Sequence, residues 1–117
     1  MKSLLVIDDD RTAMRGLSQL LEMDGYEVTG LTVSEEALPI IDARKFDAVV
    51  TDLEMPRVHG LEIIRAVRAK WADVPVVVVT AYVNSPASRN ALALGARAVL
   101  SKPLRYEALL EALPAAS

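Results

Sequence analysis

Leu4-Leu5-Val6-Ile7-Asp8-Asp9 decides the fold: four aliphatic residues in succession, then carboxylates. The pattern returns three times. Ala48-Val49-Val50-Thr51 runs into Asp52, Val76-Val77-Val78-Val79 into Thr80, and Ala98-Val99-Leu100-Ser101 into Lys102. Short β-branched runs that do not alternate with polar residues suit strands buried on both faces of a parallel sheet. Such sheets bind ligands outside the carboxyl ends of their strands. The polar residues that close the four runs are therefore expected to converge on one edge.

The segments between the runs read as helices. Arg11–Met23 places Met14, Leu17, Leu20 and Leu21 at helical spacing, with Asp10 or Thr12 as its cap and Asp24-Gly25 as its stop. Residues 26–31 read as a further strand. Residues 34–43 read as a helix opened by Ser34 with Glu35 and Glu36 in its first turn, and Pro39 is expected to kink or shorten it. Helices at 61–69, 86–94 and 106–113 complete the series, the last two ended by Gly95 and Pro114. Five strand-helix units with right-handed crossovers predict an α/β fold, a doubly wound five-stranded parallel sheet with helices on both faces.

With 117 residues, 52% of them hydrophobic and only 4% aromatic, the chain has material for one aliphatic core, a single domain over residues 1–117. A net charge of -3, with acids interspersed among Arg and Lys, argues against direct nucleic-acid binding. The absence of cysteine excludes disulfides, thiolate metal sites and Cys nucleophiles, and one histidine leaves no multi-His zinc site. Met1-Lys2-Ser3 runs straight into a strand too short for a signal peptide or membrane span, so a cytoplasmic setting without membrane contact is expected. The tail Ala115-Ala116-Ser117 suits either a natural end or the start of a linker.

Three carboxylates, a hydroxyl and an ammonium at one edge describe a site for a divalent cation and a phosphoryl group. Magnesium prefers oxygen and binds one or two carboxylates while keeping waters, which suits Asp8 and Asp9 with Asp52 as a third ligand. Without a cation the three charges would repel one another and raise at least one pKa. Asp52 is the candidate nucleophile, since a carboxylate can attack phosphorus to give an aspartyl phosphate. Lys102 would pair with phosphoryl oxygens, Thr80 would donate to another, and Ala81 is small enough to admit the group. Taken singly, each residue has an ordinary explanation: Asp10 a helix cap, Asp52 a turn residue, Thr80 a strand end, Lys102 a solvated lysine. Their joint placement favours a site.

In Val6-Ile7-Asp8-Asp9-Asp10, Thr51-Asp52-Leu53-Glu54-Met55-Pro56, Val79-Thr80-Ala81 and Ser101-Lys102-Pro103 the chain resembles the receiver domain of two-component response regulators. Each motif alone is weak, whereas all four in order at strand ends are specific. The resemblance covers essentially the whole chain and implies a flavodoxin-like (βα)5 fold. It implies a signalling domain rather than an enzyme, one that catalyses only its own phosphorylation and dephosphorylation. Asp52 would accept phosphate from a sensor histidine kinase or phosphotransfer protein. Asp8, Asp9, Asp52 and the backbone carbonyl of Glu54 would hold Mg²⁺, and Lys102-Pro103 would be a cis peptide. Phosphorylation would move Thr80 and shift the fourth helix, fifth strand and fifth helix, a surface that binds an output domain or target, or a second copy of the chain. Glu54 and Tyr82 hold positions that tune phosphoryl lifetime in the family.

Two positions depart from the family pattern. Val99 stands where an aromatic residue usually couples to the Thr, so the usual Thr-aromatic switch is not expected. His59 stands where an Asp usually caps the third helix, at an expected cost of about 1 kcal/mol, and reads as an exposed loop residue. A rival resemblance is to small phosphohydrolases of the haloacid dehalogenase superfamily, with Asp8 as nucleophile, Asp10 as acid/base, then Thr80 and Lys102. That reading leaves Asp52 without a role and finds Arg11-Thr12 where Gly-Thr is usual. A third alternative is a receiver-like domain that binds its partner without phosphate.

Overall fold

Aliphatic runs joined by amphipathic segments can hide both faces of every strand by pairing side by side with helices packed above and below. The computed structural model, which describes residues 1–116 and leaves Ser117 of the tail outside the described residues, takes that form. Its elements are β1 (Ser3–Ile7), α1 (Arg11–Met23), β2 (Glu27–Leu31), a 3-10 turn (Ser34–Glu36), α2 (Ala37–Ala43), β3 (Ala48–Asp52), α3 (Gly60–Lys70), β4 (Val76–Thr80), α4 (Pro86–Ala93), β5 (Ala98–Ser101) and α5 (Tyr106–Ala112). The strands form one parallel sheet in the order β2-β1-β3-β4-β5. No helix among the described residues is long and apolar enough to cross a membrane.

Alternate residues of each strand face opposite sides of the sheet, which splits the core in two. Leu5, Ile7, Val49, Val76 and Val78 pack with Ile41 of α2, Ile63, Ile64 and Val67 of α3, and Ala91 of α4. Leu4, Val6, Val50, Val77 and Val79 pack with Met14 and Leu21 of α1 and Leu109 of α5. β3 and β4 are buried along their whole length, whereas β5, at the sheet edge, is half-exposed. Two tyrosines fasten the α1–α5 side: Tyr26 Oη donates to the Pro114 carbonyl at 2.6 Å and Tyr106 Oη to Asp24 Oδ2 at 2.6 Å. Burial and the neighbouring Asp24 carboxylate together push the Tyr106 phenol above its ordinary value.

Three local readings of the sequence need correction or choice. Asp10, not Thr12, caps α1, its Oδ1 accepting from Thr12 N and Ala13 N at 3.0 and 3.1 Å. Residues 34–43 are not one helix. Ser34 heads a 3-10 turn, and its hydroxyl donates to the Pro56 carbonyl at 2.7 Å instead of capping. Pro39 falls in the first turn of α2, where a backbone N–H has no intrahelical partner, so it does not kink that helix, although the α-helix is shorter than the segment read from the sequence, as expected.

Two features hold the ends of α3. At its start Gly60 N donates to the Leu53 carbonyl at 2.8 Å, and an added Cβ would stand 2.5 Å from the Asp52 carbonyl oxygen and 2.7 Å from Leu53 Cα. At its end the Arg68 guanidinium donates to the carbonyls of Ala72 at 2.8 Å and Val74 at 2.6 Å, and leans on those of Trp71 and Gly95. Arg68 thus closes the loop into β4 and touches the left-handed residue that ends α4.

Gly60→Ala is expected to lower stability by about 1–3 kcal/mol, because the obstructing atoms are backbone of the strand that carries Asp52; the shift of the urea midpoint measures it. Arg68→Lys is expected to cost about 2 kcal/mol, nearly as much as Arg68→Ala, since one ammonium cannot span the carbonyls that the planar fork reaches. Recovery of wild-type stability by Lys in the same urea titration would contradict this.

Candidate functional site

Register sets the heights of the functional groups. Ile7 pairs with Thr51, so Asp8 and Asp52 emerge at the same level, in the crevice where strand order reverses between β1 and β3. Asp52 pairs with Val79 and Thr80 with Ser101. Thr80 therefore lies one residue beyond Asp52, and Lys102 two, or about 6.6 Å along the strand direction. The long lysine side chain spans that step and brings Nζ to 2.8 Å from Asp52 Oδ2. The Lys102-Pro103 peptide that follows is cis.

Asp52 is 6% exposed and its second oxygen, Oδ1, accepts from Leu53 N at 2.9 Å. Asp8 Oδ1 accepts from Asp10 N at 2.9 Å. Burial raises the Asp8 carboxyl above its ordinary value, opposed by the Asp10 N–H and the Lys102 charge and assisted by the charges on Asp52 and Asp9. For Lys102 burial disfavours the charge, but its hydrogen bond to Asp52 and its attraction to Asp52, Asp8 and Asp9 outweigh that and hold the ammonium above the usual lysine value. One ammonium is thus set against three carboxylates.

Asp8, Asp9 and Asp52 each offer an oxygen, and the three oxygens lie within 4.8 Å of one another. Ligand oxygens around an octahedral Mg²⁺ at about 2.1 Å stand about 3–4 Å apart. A small closure of these side chains therefore suffices, and an all-carboxylate donor set is the hard-oxygen chemistry that magnesium selects. Glu54 is carried by the loop that leaves β3, beside the cluster.

Thr80 is fully buried. Its hydroxyl donates to Glu54 Oε1 at 2.7 Å and accepts from Tyr82 N at 3.1 Å. Ala81 and Tyr82 follow it in the connection to α4, Tyr82 largely exposed and its carbonyl accepting from the Ser88 hydroxyl at 2.7 Å. Val99 is half-buried on β5, against the core shared with α3 and α4. A groove of about 340 Å³ between α1 and α5 opens onto Asp8, Asp52 and Lys102, with Leu17, Leu20 and Leu104 among its apolar walls.

The structure thus gathers Asp8, Asp9, Asp52 and Lys102 and sets Thr80 alongside through Glu54. Asp10, the acid/base of the phosphohydrolase alternative, spends its carboxylate on the α1 cap. His59 corrects an expectation. It is half-buried and caps α3, its Nδ1 accepting from Leu61 N at 3.1 Å. An imidazole can do this only as the tautomer protonated on Nε2, which the composition rules for caps do not anticipate. Two features carried no signal in the sequence. The Glu54 side chain reaches across to Thr80, a contact between residues 26 apart. Arg57 adopts a left-handed backbone (φ 72°) in the loop after Asp52, its side chain paired with Glu35 at 2.9 Å. A left-handed residue in a loop after a proline is ordinarily glycine or asparagine, so composition pointed elsewhere.

Comparison with known proteins identifies the family. The model of the response regulator receiver domain matches residues 4–114. Response regulator MprA of Mycolicibacterium vanbaalenii is 39% identical over 92% of the chain, which spans 46% of that protein. Response regulator protein FleR of Pseudomonas aeruginosa is 32% identical, again over 92% of the chain but 23% of its own length. The chain thus spans less than half the length of these relatives. Among solved structures, a CheY-like receiver domain protein from Methanospirillum hungatei superposes with a TM-score of 0.89 at 30% identity, covering 95% of this chain and 89% of the other. A Burkholderia pseudomallei response regulator solved with a phosphorylated aspartic acid, a calcium ion and citrate superposes with a TM-score of 0.88 at 32% identity, covering 97% and 67%. Matched along nearly its whole length in sequence and in fold, the chain belongs to the receiver domains of response regulators, the signalling domains of two-component systems.

Proposed function

We propose that Asp52 is the phosphoacceptor of this receiver domain and takes its phosphoryl group from a phosphohistidine of a sensor histidine kinase or phosphotransfer protein. The observation that carries this reading is the buried Asp52 carboxylate, paired with Lys102 at 2.8 Å inside a cluster of three carboxylates. One Asp52 oxygen forms the new O–P bond as the donor's N–P bond breaks, and the electron pair leaves with the imidazole. Lys102 then exchanges part of its contact with Asp52 for the phosphoryl oxygens. Thr80 supplies a hydroxyl to the same group, and Ala81 leaves room for it. Asp8, Asp9, Asp52 and the Glu54 carbonyl would hold Mg²⁺, which supplies neutralisation of the charge that builds up on the transferred group.

The α1–α5 groove supports the same reading, because it gives a donor helix an apolar seat beside Asp52. The output is proposed to act through α4, β5 and α5, where Val83 and Leu92 are exposed and a second groove of about 300 Å³ passes over Val99 and Leu104. An output domain, a target protein or a second copy of the chain would bind there. With Val99 at the coupling position, the signal would be carried by backbone and apolar packing rather than by the turn of an aromatic ring. The phosphohydrolase alternative is not favoured, since Asp10 is committed to α1.

Millimolar Mg²⁺ is expected to raise the melting temperature of the protein by a few degrees, through binding to the folded state alone. Asp9→Asn is expected to abolish most of that rise in the same thermal scan. Incubation with acetyl phosphate and Mg²⁺ is expected to add one phosphoryl group by intact mass, dependent on the metal and absent in Asp52→Asn. An adduct that persists in Asp52→Asn, or a wild type that takes neither phosphate nor beryllofluoride, would overturn the assignment.

A further inference from the structure

Thr80 has a single hydroxyl proton, and in this structure the Glu54 carboxylate already holds it. The bond is short, 2.7 Å, and joins a fully buried hydroxyl to an exposed acid. The same oxygen accepts from Tyr82 N at 3.1 Å, so the hydroxyl is engaged both as donor and as acceptor. The Thr80 backbone is held too, its carbonyl accepting from Lys102 N at 2.9 Å. Redirecting the hydroxyl toward a group on Asp52 therefore requires the Glu54 bond to break. Val99, aliphatic and half-buried, offers Thr80 no polar partner in exchange.

We propose that Glu54 is a positioning residue for Thr80: its carboxylate retains the Thr80 hydroxyl in the resting domain and must release it when a phosphoryl group occupies Asp52. This inference rests on the phosphoacceptor reading. It goes beyond a general influence of the position on phosphoryl lifetime, because it names the atom held and the competitor. A donor committed elsewhere lowers the apparent affinity for the phosphoryl group by the fraction of molecules in which it is free. With its acceptor exposed to solvent, this bond contributes about as much as one between neutral groups, which makes that factor about three- to tenfold.

Removing Glu54 also removes a negative charge near an anion site, so a double-mutant cycle is required. Beryllofluoride affinity in Mg²⁺ is measured for wild type, Glu54→Ala, Thr80→Ala and the double variant. Glu54→Ala is expected to tighten binding about three- to tenfold more in the Thr80 background than in the Thr80→Ala background. Glu54→Gln, which keeps an acceptor without the charge, is expected to fall between wild type and Glu54→Ala. In the ligand-free protein, the NMR shift of the Thr80 methyl is expected to move toward its beryllofluoride-bound value in Glu54→Ala and to stay near wild type in Glu54→Gln. Equal effects of Glu54→Ala in both backgrounds would reduce Glu54 to a charge and overturn the proposal. So would a Thr80 methyl that does not respond. A wild type unable to bind beryllofluoride would overturn the phosphoacceptor reading itself, and the retention proposal with it.

Discussion

Parallel pairing of short, fully buried strands governs everything else in this molecule. Because neighbouring strands run the same way, whatever follows each one is delivered to the same edge of the sheet. Because both faces are covered by helices, polar side chains have no other place to go. Register then decides which groups meet: Asp8 and Asp52 emerge level, and Lys102 reaches them from two residues higher. A lysine serves here because its four-carbon stem covers the step that a shorter cation could not.

The same edge concentrates like charge, and the resting domain contains it with a small number of bonds. Lys102 neutralises one carboxylate of the three, backbone N–H groups take one oxygen each of Asp8 and Asp52, and the Thr80 proton goes to Glu54. No buried side-chain polar atom among the described residues lacks a hydrogen-bond partner. The imbalance that remains is one of charge rather than of unmade hydrogen bonds, and a divalent cation is suited to correct it.

The sheet was legible because aliphatic runs of four have few alternatives once helical segments separate them, and outside the segment 34–43 strand and helix limits shifted by only a residue where they moved at all. The region around Ser34 and Pro39 was less so. Whether a proline interrupts a helix depends on its place relative to the first turn, and that place is set by the 3-10 turn before it. At the site, the residues that end strands could be named because topology carries them to one edge. The Glu54–Thr80 bond and the His59 cap could not, since each depends on the rotamer or tautomer of one side chain in a loop. The left-handed Arg57 was hidden for a related reason: an adjoining loop, held by Ser34 through Pro56, sets its backbone against its own preference.

Trp71, the one tryptophan of the chain, caps the far end of α3. Its indole donates to the Ile41 carbonyl at 2.9 Å, with the Lys45 and Lys70 ammonium groups 5.7 and 5.8 Å from its ring. α3 begins against the Asp52 carbonyl and runs for 11 residues, so about 16 Å of helix separates the indole from the acidic edge. Intrinsic fluorescence therefore reads the seam between α2 and α3. Unfolding will change the emission strongly, because it strips away two cations and a carbonyl. The acidic edge lies at the other end of α3 from the indole, so an optical titration of that edge needs a reporter placed on it.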